Sequence, residues 1–265
     1  MVVATASPTV IIAAPSRVIP GTTEQNIRFL AQHAEGKIGE IALCFFETQA
    51  RLADNDLPET LADLPFSWHV HLPVDLPWAI GPGASANCAL RLMRKVEALR
   101  PRMAVLHPPD LPARAGLLAA FAEQWHARCA IPLLLENVDT CDLIDVTALI
   151  VDAEFGVCLD LGHMLAFGQQ GIVEIPELTS RVQIAHWSAP GGADLHLSLA
   201  CLTEEEQASV RAAAAKLPGT TTHLLEIFDW HGVEASLALL PDLLPSCRTE
   251  QEAETRHAPA TKKHW

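Results

Sequence analysis

Eight short apolar segments alternate along the chain with longer stretches of helical periodicity. The apolar segments are residues 10–14, 38–46, 68–72, 103–107, 133–137, 157–160, 182–187 and 223–228. Near-continuous hydrophobicity of this kind is typical of parallel strands that are buried on both faces. An α/β fold in which strand and helix alternate eight times is a (β/α)8 TIM barrel, and the pattern predicts that architecture. A doubly wound open sheet is the main alternative, but no GxGxxG motif follows the first segment.

Three of the intervening stretches carry clear helix signals. Residues 22–33 open with Thr22 and Gln25 at the spacing of a capping box. Residues 85–100 have apolar positions at helical spacing and basic residues toward their C-terminal end. Residues 203–217 begin Thr-Glu-Glu-Glu and end Lys-Leu-Pro-Gly, which combines a helix cap, an acidic first turn and a stop signal. We predict a helix over each stretch.

Length and composition favour a single large domain. The 265 residues fit one α/β barrel, and with 49% hydrophobic residues the chain can bury a substantial core. No apolar run reaches the roughly 18 residues that span a bilayer, so we expect no membrane association. The apolar N-terminus lacks the basic start of a signal peptide and is interpreted as the first strand. We predict a barrel domain over residues 1–246 and a polar, disordered tail over residues 247–265.

The net charge and the number of cysteines restrict which cellular compartment and which binding partners are expected. Seven scattered cysteines form no CxxC motif, which favours a reducing cytoplasm over a disulfide framework. The formal net charge is −14, from 32 acidic and 18 basic residues. A protein that grips duplex DNA normally presents a basic face. Duplex nucleic acid is therefore not an expected partner.

Side chains that bind metals recur where the predicted strands end. They are His71, His107, Glu136, Asp160, His163, His186, Asp194, His196 and Glu226. In a barrel the strand ends meet at the C-terminal rim, where the active sites of this fold lie. Buried carboxylates are costly without a cation, so we predict a metal site at that rim. Nine ligands suit up to three ions that share bridging ligands, since one ion takes roughly four to six.

The remaining histidines have plainer interpretations. His69 points to the same side of its strand as His71, but His71 is nearer the strand end and is preferred as the ligand. His69 is expected behind the ligands or in the core. Asp194 and His196 are expected in a loop that Gly191 and Gly192 make flexible. The other histidines are predicted to lie at the surface, on helices, loops or the tail: His33, His126, His223, His231, His257 and His264.

The order of these ligands resembles a known signature. His, His, Glu, Asp-x-x-His, His, Asp-x-His, Glu is similar to the trinuclear zinc site of the endonuclease IV group of xylose-isomerase-like barrels, over residues 10–228. The resemblance implies three ion positions. The first would be held by His71, His107 and Glu136. The second would be held by Glu136, Asp160, His186 and Glu226, and the third by His163, Asp194 and His196.

The same resemblance separates two reaction classes. Sugar isomerases and epimerases of this superfamily keep only the Glu, Asp, His, Glu subset for a single ion. The five additional ligands here favour hydrolysis of a phosphate ester. Mixed imidazole and carboxylate ligands suit zinc, which we predict, and also manganese or iron.

A second resemblance is narrower and concerns the substrate. PSRVIPGTTEQNIRFLA (residues 15–31), LCFFETQARL (43–52) and WHVHLPVDLPW (68–78) resemble the cobamide-remodelling phosphodiesterases of this superfamily. That family cleaves the nucleotide loop of adenosylated cobamides and releases a cobinamide phosphate and a riboside. The resemblance implies a small-molecule corrinoid substrate, and residues 1–246 would form the phosphodiesterase domain.

The candidate site residues follow from these expectations. The expected reaction is attack of metal-bound hydroxide on a phosphodiester, with Glu136, His186 and Glu226 as the catalytic residues. Candidate substrate contacts are Arg17, Glu47, Trp78 and Trp187. A flat corrin or base would stack on the aromatic surface that the tryptophans and the Phe45-Phe46-Glu47 segment place beside the metals, and Arg17 could meet a phosphate. The plainer interpretation is that the aromatic residues fill the barrel mouth and that Arg17 is a solvated loop residue.

Three alternatives to this function stay open at the level of sequence. A sugar-phosphate isomerase or epimerase would use Glu47 or Glu226 as its acid or base. An abasic-site endonuclease would share the ligands, but the acidic balance counts against it. A metal-storage or corrinoid-binding protein without catalysis is the third.

Overall fold

Eight parallel strands close into a barrel in the computed structural model of the chain. The structure describes residues 10–34, 36–191 and 194–244, without the side chains of residues 194 and 195. The barrel strands are β1 (Ile11–Pro15), β2 (Glu40–Cys44), β3 (Ser67–His71), β4 (Ala104–Leu106), β5 (Leu133–Glu136), β6 (Gly156–Asp160), β7 (Val182–Trp187) and β10 (Thr222–Leu225). Two further strands, β8 (Ala189–Gly191) and β9 (Asp194–Leu197), form a separate two-stranded sheet. Strands β1 to β7 follow one another around the barrel, and β10 closes it between β7 and β1. The predicted TIM barrel is confirmed.

Helices occupy the connections between the barrel strands. They are α1 (Thr23–His33), α2 (Thr48–Ala53), α3 (Pro82–Lys95), α4 (Arg114–His126), α5 (Thr147–Asp152), α6 (Leu161–Ala166), α7 (Pro176–Thr179), α8 (Glu204–Ala214) and α9 (Trp230–Leu243). Short 3₁₀ turns cover Glu59–Asp63, Glu97–Leu99, Ile144–Val146, Gln170–Glu174 and Leu199–Cys201.

The observed helix boundaries agree with the local sequence signals at some ends and differ at others. Helix α1 begins at the predicted capping box on Thr22, and α8 begins at the predicted cap Thr203, which forms a capping box with Glu206. Helix α3 differs from its prediction because it starts three residues early, at Pro82, whose fixed φ suits the first turn of a helix. It also ends early, at Lys95, and a 3₁₀ turn follows that stops at Arg100 in the left-handed conformation, with φ of 52°.

The barrel interior is packed with side chains, as in other barrels of this type. Every strand of the barrel except β3 contributes a small or branched residue to one buried cluster, which contains Ala13, Ala42, Cys44, Val105, Leu134, Cys158, Ile184 and Leu224. Burial raises the pKa of the Cys44 and Cys158 thiols. Both are therefore protonated, inert core residues, as expected from their strand positions.

A polar network lies at the end of the barrel where the strands begin. The fully buried Glu40 accepts hydrogen bonds from Ser67 Oγ at 2.6 Å and from His69 Nδ1 at 2.7 Å, and Arg102 pairs with it at 2.9 Å. Burial raises the pKa of Glu40, but His69, Ser67 and Arg102 outweigh it and lower the pKa. Of the two positions open to His69, the structure selects the core.

The segment after β7 forms a pair of strands where the sequence predicted a loop. Strands β8 and β9 form an antiparallel pair, with Ala189 opposite Leu197 and Gly191 opposite Asp194. Asp194 and His196 therefore lie on a strand and not in the predicted loop, whereas Gly192 lies outside the described residues. Residues 245–265, which include the predicted tail, also lie outside the described residues. Among the residues that are described, no helix has the length and apolar character that crossing a bilayer requires.

Candidate metal centre

The predicted ligands that the structure describes meet at the rim where the strands end. Glu136 and Asp160 are the last residues of β5 and β6, and His71 is the last residue of β3. His107 and Glu226 each follow directly after a strand, β4 and β10 respectively. Apart from the half-buried His107 and His196, these side chains are buried: His71, Glu136, Asp160, His163, His186 and Glu226.

One oxygen of Glu136 faces two imidazoles. Glu136 Oε2 lies 3.0 Å from His71 Nε2 and 3.3 Å from His107 Nε2. The ligand atoms of these three residues are all within 4.8 Å of one another. His71 Nδ1 donates to the Leu72 carbonyl at 3.1 Å, which leaves Nε2 directed at the carboxylate. The three residues form a group that could hold one ion.

The other oxygen of Glu136 faces a second group. Glu136 Oε1 lies 3.5 Å from His186 Nδ1, and the same nitrogen is 2.8 Å from Glu226 Oε2 and 3.7 Å from Asp160 Oδ2. The ligand atoms of Glu136, Asp160, His186 and Glu226 also lie within 4.8 Å of one another. Glu136 therefore offers one oxygen to each group, which is the arrangement of a bridging carboxylate.

The third predicted group is located only in part. The His163 and His196 rings are 6.1 Å apart between centroids. His163 Nδ1 donates to the Asn137 carbonyl at 2.9 Å, so Nε2 remains for a ligand. The side chain of Asp194 lies outside the described part of the structure. A third ion position stays a prediction.

The buried polar atoms at the rim fit a cation. Among the described residues, Asp160 Oδ2, His107 Nε2 and Glu226 Oε2 are buried and have no hydrogen-bond partner, and both ring nitrogens of His186 are in the same state. The 2.8 Å approach of His186 Nδ1 to Glu226 lacks the direction of a hydrogen bond. Buried unpaired polar atoms are costly. A metal ion would satisfy several of them at once.

The protonation of the carboxylates also suits metal binding. Burial raises the pKa of Glu136, but the imidazoles of His186, His107 and His71 outweigh it and hold the pKa well below its usual range. Burial likewise raises the pKa of Glu226, and the facing His186 lowers it to about 2. Both carboxylates are ionised at neutral pH, which is the form that binds a metal.

A layer of amide side chains behind the ligands was missed by sequence reasoning. The Asn137 side chain accepts from the Asp160 backbone N–H at 2.7 Å and donates to its carbonyl at 3.0 Å. Gln169 accepts from Asn137 at 2.9 Å and donates to the Val138 carbonyl at 2.7 Å. Asn137 has a sequence signal, a polar residue directly after a buried strand, whereas Gln169 has none. These amides fix the end of β6, where Asp160 sits.

The predicted substrate contacts divide into exposed and buried residues. Arg17 is exposed and its guanidinium stacks 5.2 Å from the Phe46 ring centroid. Glu47 is also exposed, but it precedes α2 and does not end a strand. Trp78 is largely buried, with its ring 5.2 Å from that of Phe121, and one edge lines a groove beside His107.

Two assignments are wrong. Trp187 has no exposed surface, and its Nε1 donates to His223 Nδ1 at 3.0 Å, so its ring cannot stack on a substrate. His223 is buried at the outer face of β10 and is not a surface residue. Burial lowers the pKa of His223 to about 4, which keeps it neutral and able to accept this hydrogen bond. The pair packs β7 against β10.

Apolar side chains surround the ligand group. A cavity of about 160 Å³ lies directly over the ligands, and a groove of about 300 Å³ adjoins it past Val74 and His107. The large apolar side chains that are exposed are Phe46, Val74, Ile80, Leu111, Ile144, Val151 and Phe167. All except Val151 lie in the segments that follow the strand ends. The rim is therefore apolar around a charged centre.

Comparisons of sequence identify no relative, whereas comparisons of structure identify the fold. No protein-family model matches the chain, and no curated protein matches its sequence. An L-ribulose 3-epimerase is similar over 95% of this chain and 99% of its own, with a TM-score of 0.66 and 15% identity. A D-tagatose 3-epimerase-like protein matches over 90% and 98%, with a TM-score of 0.63 and 14% identity.

A third structure comes from a different class of enzyme. The AP endonuclease, family 2, from Brucella melitensis matches over 88% of this chain and 99% of its own, with a TM-score of 0.59 and 14% identity. At these identities the likeness concerns the fold alone. The chain shares the closed TIM-barrel fold of these three structures.

Proposed function

We propose that this chain is a metal-dependent phosphodiesterase that hydrolyses the nucleotide loop of cobamides. The observation that carries the proposal is the position of Glu136, with one oxygen toward His71 and His107 and the other toward His186. Two ligand groups that share one carboxylate suit two adjacent ions. An isomerase that works with a single ion has no need of the first group.

The residues of the chain would hold the ions and shape the space above them. Ions bound here would supply Lewis acidity to a phosphoryl group and lower the pKa of a water molecule. Glu136 would set the spacing of the two ions, and the Asn137 and Gln169 amides would hold Asp160 in place. The walls formed by Phe46, Val74 and Phe228 would limit the access of bulk water.

The apolar rim supports a large, flat substrate. A corrinoid has an extended hydrophobic face, whereas a sugar phosphate or a DNA backbone is polar throughout. The groove beside His107, lined by Val74, Trp78 and Leu111, offers contact surface for such a face. The exposed guanidinium of Arg17, held over Phe46, could meet a phosphate.

A sugar-phosphate isomerase or epimerase is the second candidate. It is favoured by the four-residue group of Glu136, Asp160, His186 and Glu226, which is complete without any further ligand. Two of the structures with the same fold are also described as an epimerase and an epimerase-like protein. An abasic-site endonuclease has the fold likeness of one solved structure, but the net charge of −14 opposes duplex binding.

The test is a parallel assay of the zinc-loaded protein on three substrates: an adenosylated cobamide, an abasic-site duplex and a ketose phosphate. We expect release of the riboside and of a corrinoid that keeps its aminopropanol side chain, resolved by chromatography. The Glu136→Gln variant should lose this activity, whereas Asp63→Asn, at an exposed carboxylate of the 3₁₀ turn Glu59–Asp63, should keep it. Nicking of the duplex with the cobamide left intact would refute the assignment of a cobamide as the substrate. Epimerisation of the ketose phosphate without hydrolysis of either other substrate would refute the assignment as a hydrolase.

A further inference from the structure

A cavity of about 550 Å³ lies at the end of the barrel opposite the ligand group. Its walls come from the C-terminal half of α3, from the segment that leads into β4, and from the connection between α4 and β5. In a parallel barrel these segments lie where the strands begin, whereas Glu136 and the other ligands lie where they end. The cavity is larger than the 160 Å³ space above the ligands.

Positive charge is concentrated around this cavity. Its lining includes Arg94, Arg100 and Arg128, with Glu97 as the one carboxylate among its lining residues. Residues 91–102 alone carry five of the 18 basic residues of a chain whose net charge is −14. The electrostatic potential around the cavity is therefore positive, whereas the molecule as a whole is negatively charged.

Two of the guanidinium groups are available for a ligand. The side chains of Arg94 and Arg100 make no ion pair or hydrogen bond with any residue in the described part of the chain, and both residues are exposed. Arg128 is fixed in place by Asn87 Oδ1 at 2.6 Å and by Gln124 Oε1 at 3.1 Å. Arg100 also adopts the left-handed conformation, with φ of 52°, which is uncommon outside glycine and places its side chain at the cavity wall.

The floor of the cavity is apolar. Leu90 and Met93 of α3 are buried beneath it, and Ile131 and Pro101 close its sides. The cavity thus combines a hydrophobic surface with two unpaired planar cations. Its volume falls in the range of small-molecule sites, roughly 300–1,000 Å³.

We propose that this cavity binds an organic phosphate, independently of the reaction at the metal centre. The phosphate is held by Arg94 and Arg100, since guanidinium groups bind phosphate through paired charge-assisted hydrogen bonds. The apolar or aromatic body of the ligand packs on Leu90, Met93 and Ile131. The acidic surface elsewhere repels such an anion and leaves this cavity as its favourable position.

The first test measures binding of adenosine monophosphate to the zinc-loaded full chain by calorimetry. Adenosine and inorganic phosphate are the comparison probes, because each carries half of the proposed recognition. Arg94→Gln should weaken binding of adenosine monophosphate about tenfold or more, the loss expected for a hydrogen bond between charged groups. Arg91→Gln is the matched control, because Arg91 is exposed on the same helix but lies outside the cavity lining, and it should leave the affinity unchanged.

The second test establishes where the nucleotide binds. The half-buried thiol of Cys129 lines the cavity, whereas Cys201 is exposed elsewhere on the molecule. Adenosine monophosphate should slow alkylation of Cys129, read by peptide mass spectrometry, and leave the rate at Cys201 unchanged. Absence of saturable binding, equal affinity in Arg94→Gln, or no protection of Cys129 would overturn the proposal. Inorganic phosphate that binds as tightly as the nucleotide would overturn the role of the apolar floor.

Discussion

Glu136 is the residue on which the rest of the metal centre depends. It is almost fully buried, and its two oxygens lie between 3.0 and 3.7 Å from nitrogens of four imidazoles, those of His71, His107, His163 and His186. A carboxylate in such a place is costly to desolvate unless cations accompany it. Neutral imidazoles and carboxylates are both common metal ligands, so the cluster has the composition of a metal site.

The first prediction concerns the loss of this carboxylate. Glu136→Gln replaces one ligand oxygen by an amide N–H₂, which cannot bind a metal, so we expect metal affinity and the rate of phosphodiester hydrolysis to fall by at least about 10–100-fold. Asp194→Asn should cost less, since the family resemblance assigns Asp194 to a single ion. Elemental analysis and kcat/KM measure the two effects, with Asp63→Asn as the control. Wild-type metal content and rate in Glu136→Gln would refute the bridging role.

At the scale of elements, the contact between β7 and β10 shows how the barrel is closed. Trp187 and His223 project from neighbouring strands toward the helix layer, because His186 and Leu224 beside them point inward. The indole N–H donates to His223 Nδ1, and both side chains are buried. The hydrogen bond exists only while Nδ1 is unprotonated. Strand pairing here is coupled to the charge of one histidine.

The second prediction is the pH dependence that follows. Burial lowers the pKa of His223 from its ordinary value of 6.5 to about 4, so the unfolded chain binds its proton more readily than the folded one. Stability from this group is complete above pH 6.5 and is lost as the pH falls toward 4, by up to about 3 kcal/mol.

Urea unfolding of the wild type and of His223→Gln at pH 7 and pH 4.5 measures this effect. Glutamine can accept from Trp187 Nε1 but does not titrate. We therefore expect the wild type to lose more free energy of unfolding between the two pH values than the variant. Identical losses would show that His223 is not responsible.

For the whole molecule, the two ends of the barrel carry different polar groups. At one end Glu40 pairs with Arg102 and accepts a hydrogen bond from His69. At the other end Glu136, Asp160 and Glu226 face one another with histidines alone, and no Lys or Arg pairs with them among the described residues. The buried negative charge at the first end is compensated by the protein's own side chains. At the second end we expect bound cations to compensate it.

The third prediction is that metal stabilises the fold. We expect two to three ions per chain in elemental analysis, mainly zinc. A chelator should lower Tm by about 10 °C, since a ligand at 1,000 times its Kd contributes about 4 kcal/mol. Zinc should restore the transition, and Glu136→Gln should show a smaller shift. One ion or fewer per chain would favour the isomerase, and a Tm indifferent to chelation would contradict a metal in this buried cluster.

The sequence by itself determined the barrel and the residues at its rim. Buried parallel strands read as short apolar runs, and the end of each run marks a position on one rim once the strands are parallel. His71, Glu136 and Asp160 could therefore be placed together before any contact was known. Helix starts at Thr22 and Thr203 were equally predictable, because a capping box is complete within four residues.

Only the tertiary structure decided which side of the barrel wall the remaining side chains occupy. Trp187 follows a ligand directly, and the strand pleat turns it outward to His223 on a strand 36 residues away. Gln169 hydrogen-bonds Asn137, 32 residues earlier in the chain, and Asn137 in turn holds Asp160, a contact that no local pattern predicts. The arginines of the 550 Å³ cavity come from the connection between β3 and β4 and from the connection between β4 and β5. These two connections meet where α3 packs on α4. Periodicity records burial within one element, whereas these contacts depend on the closure of the barrel, which sets the elements against one another.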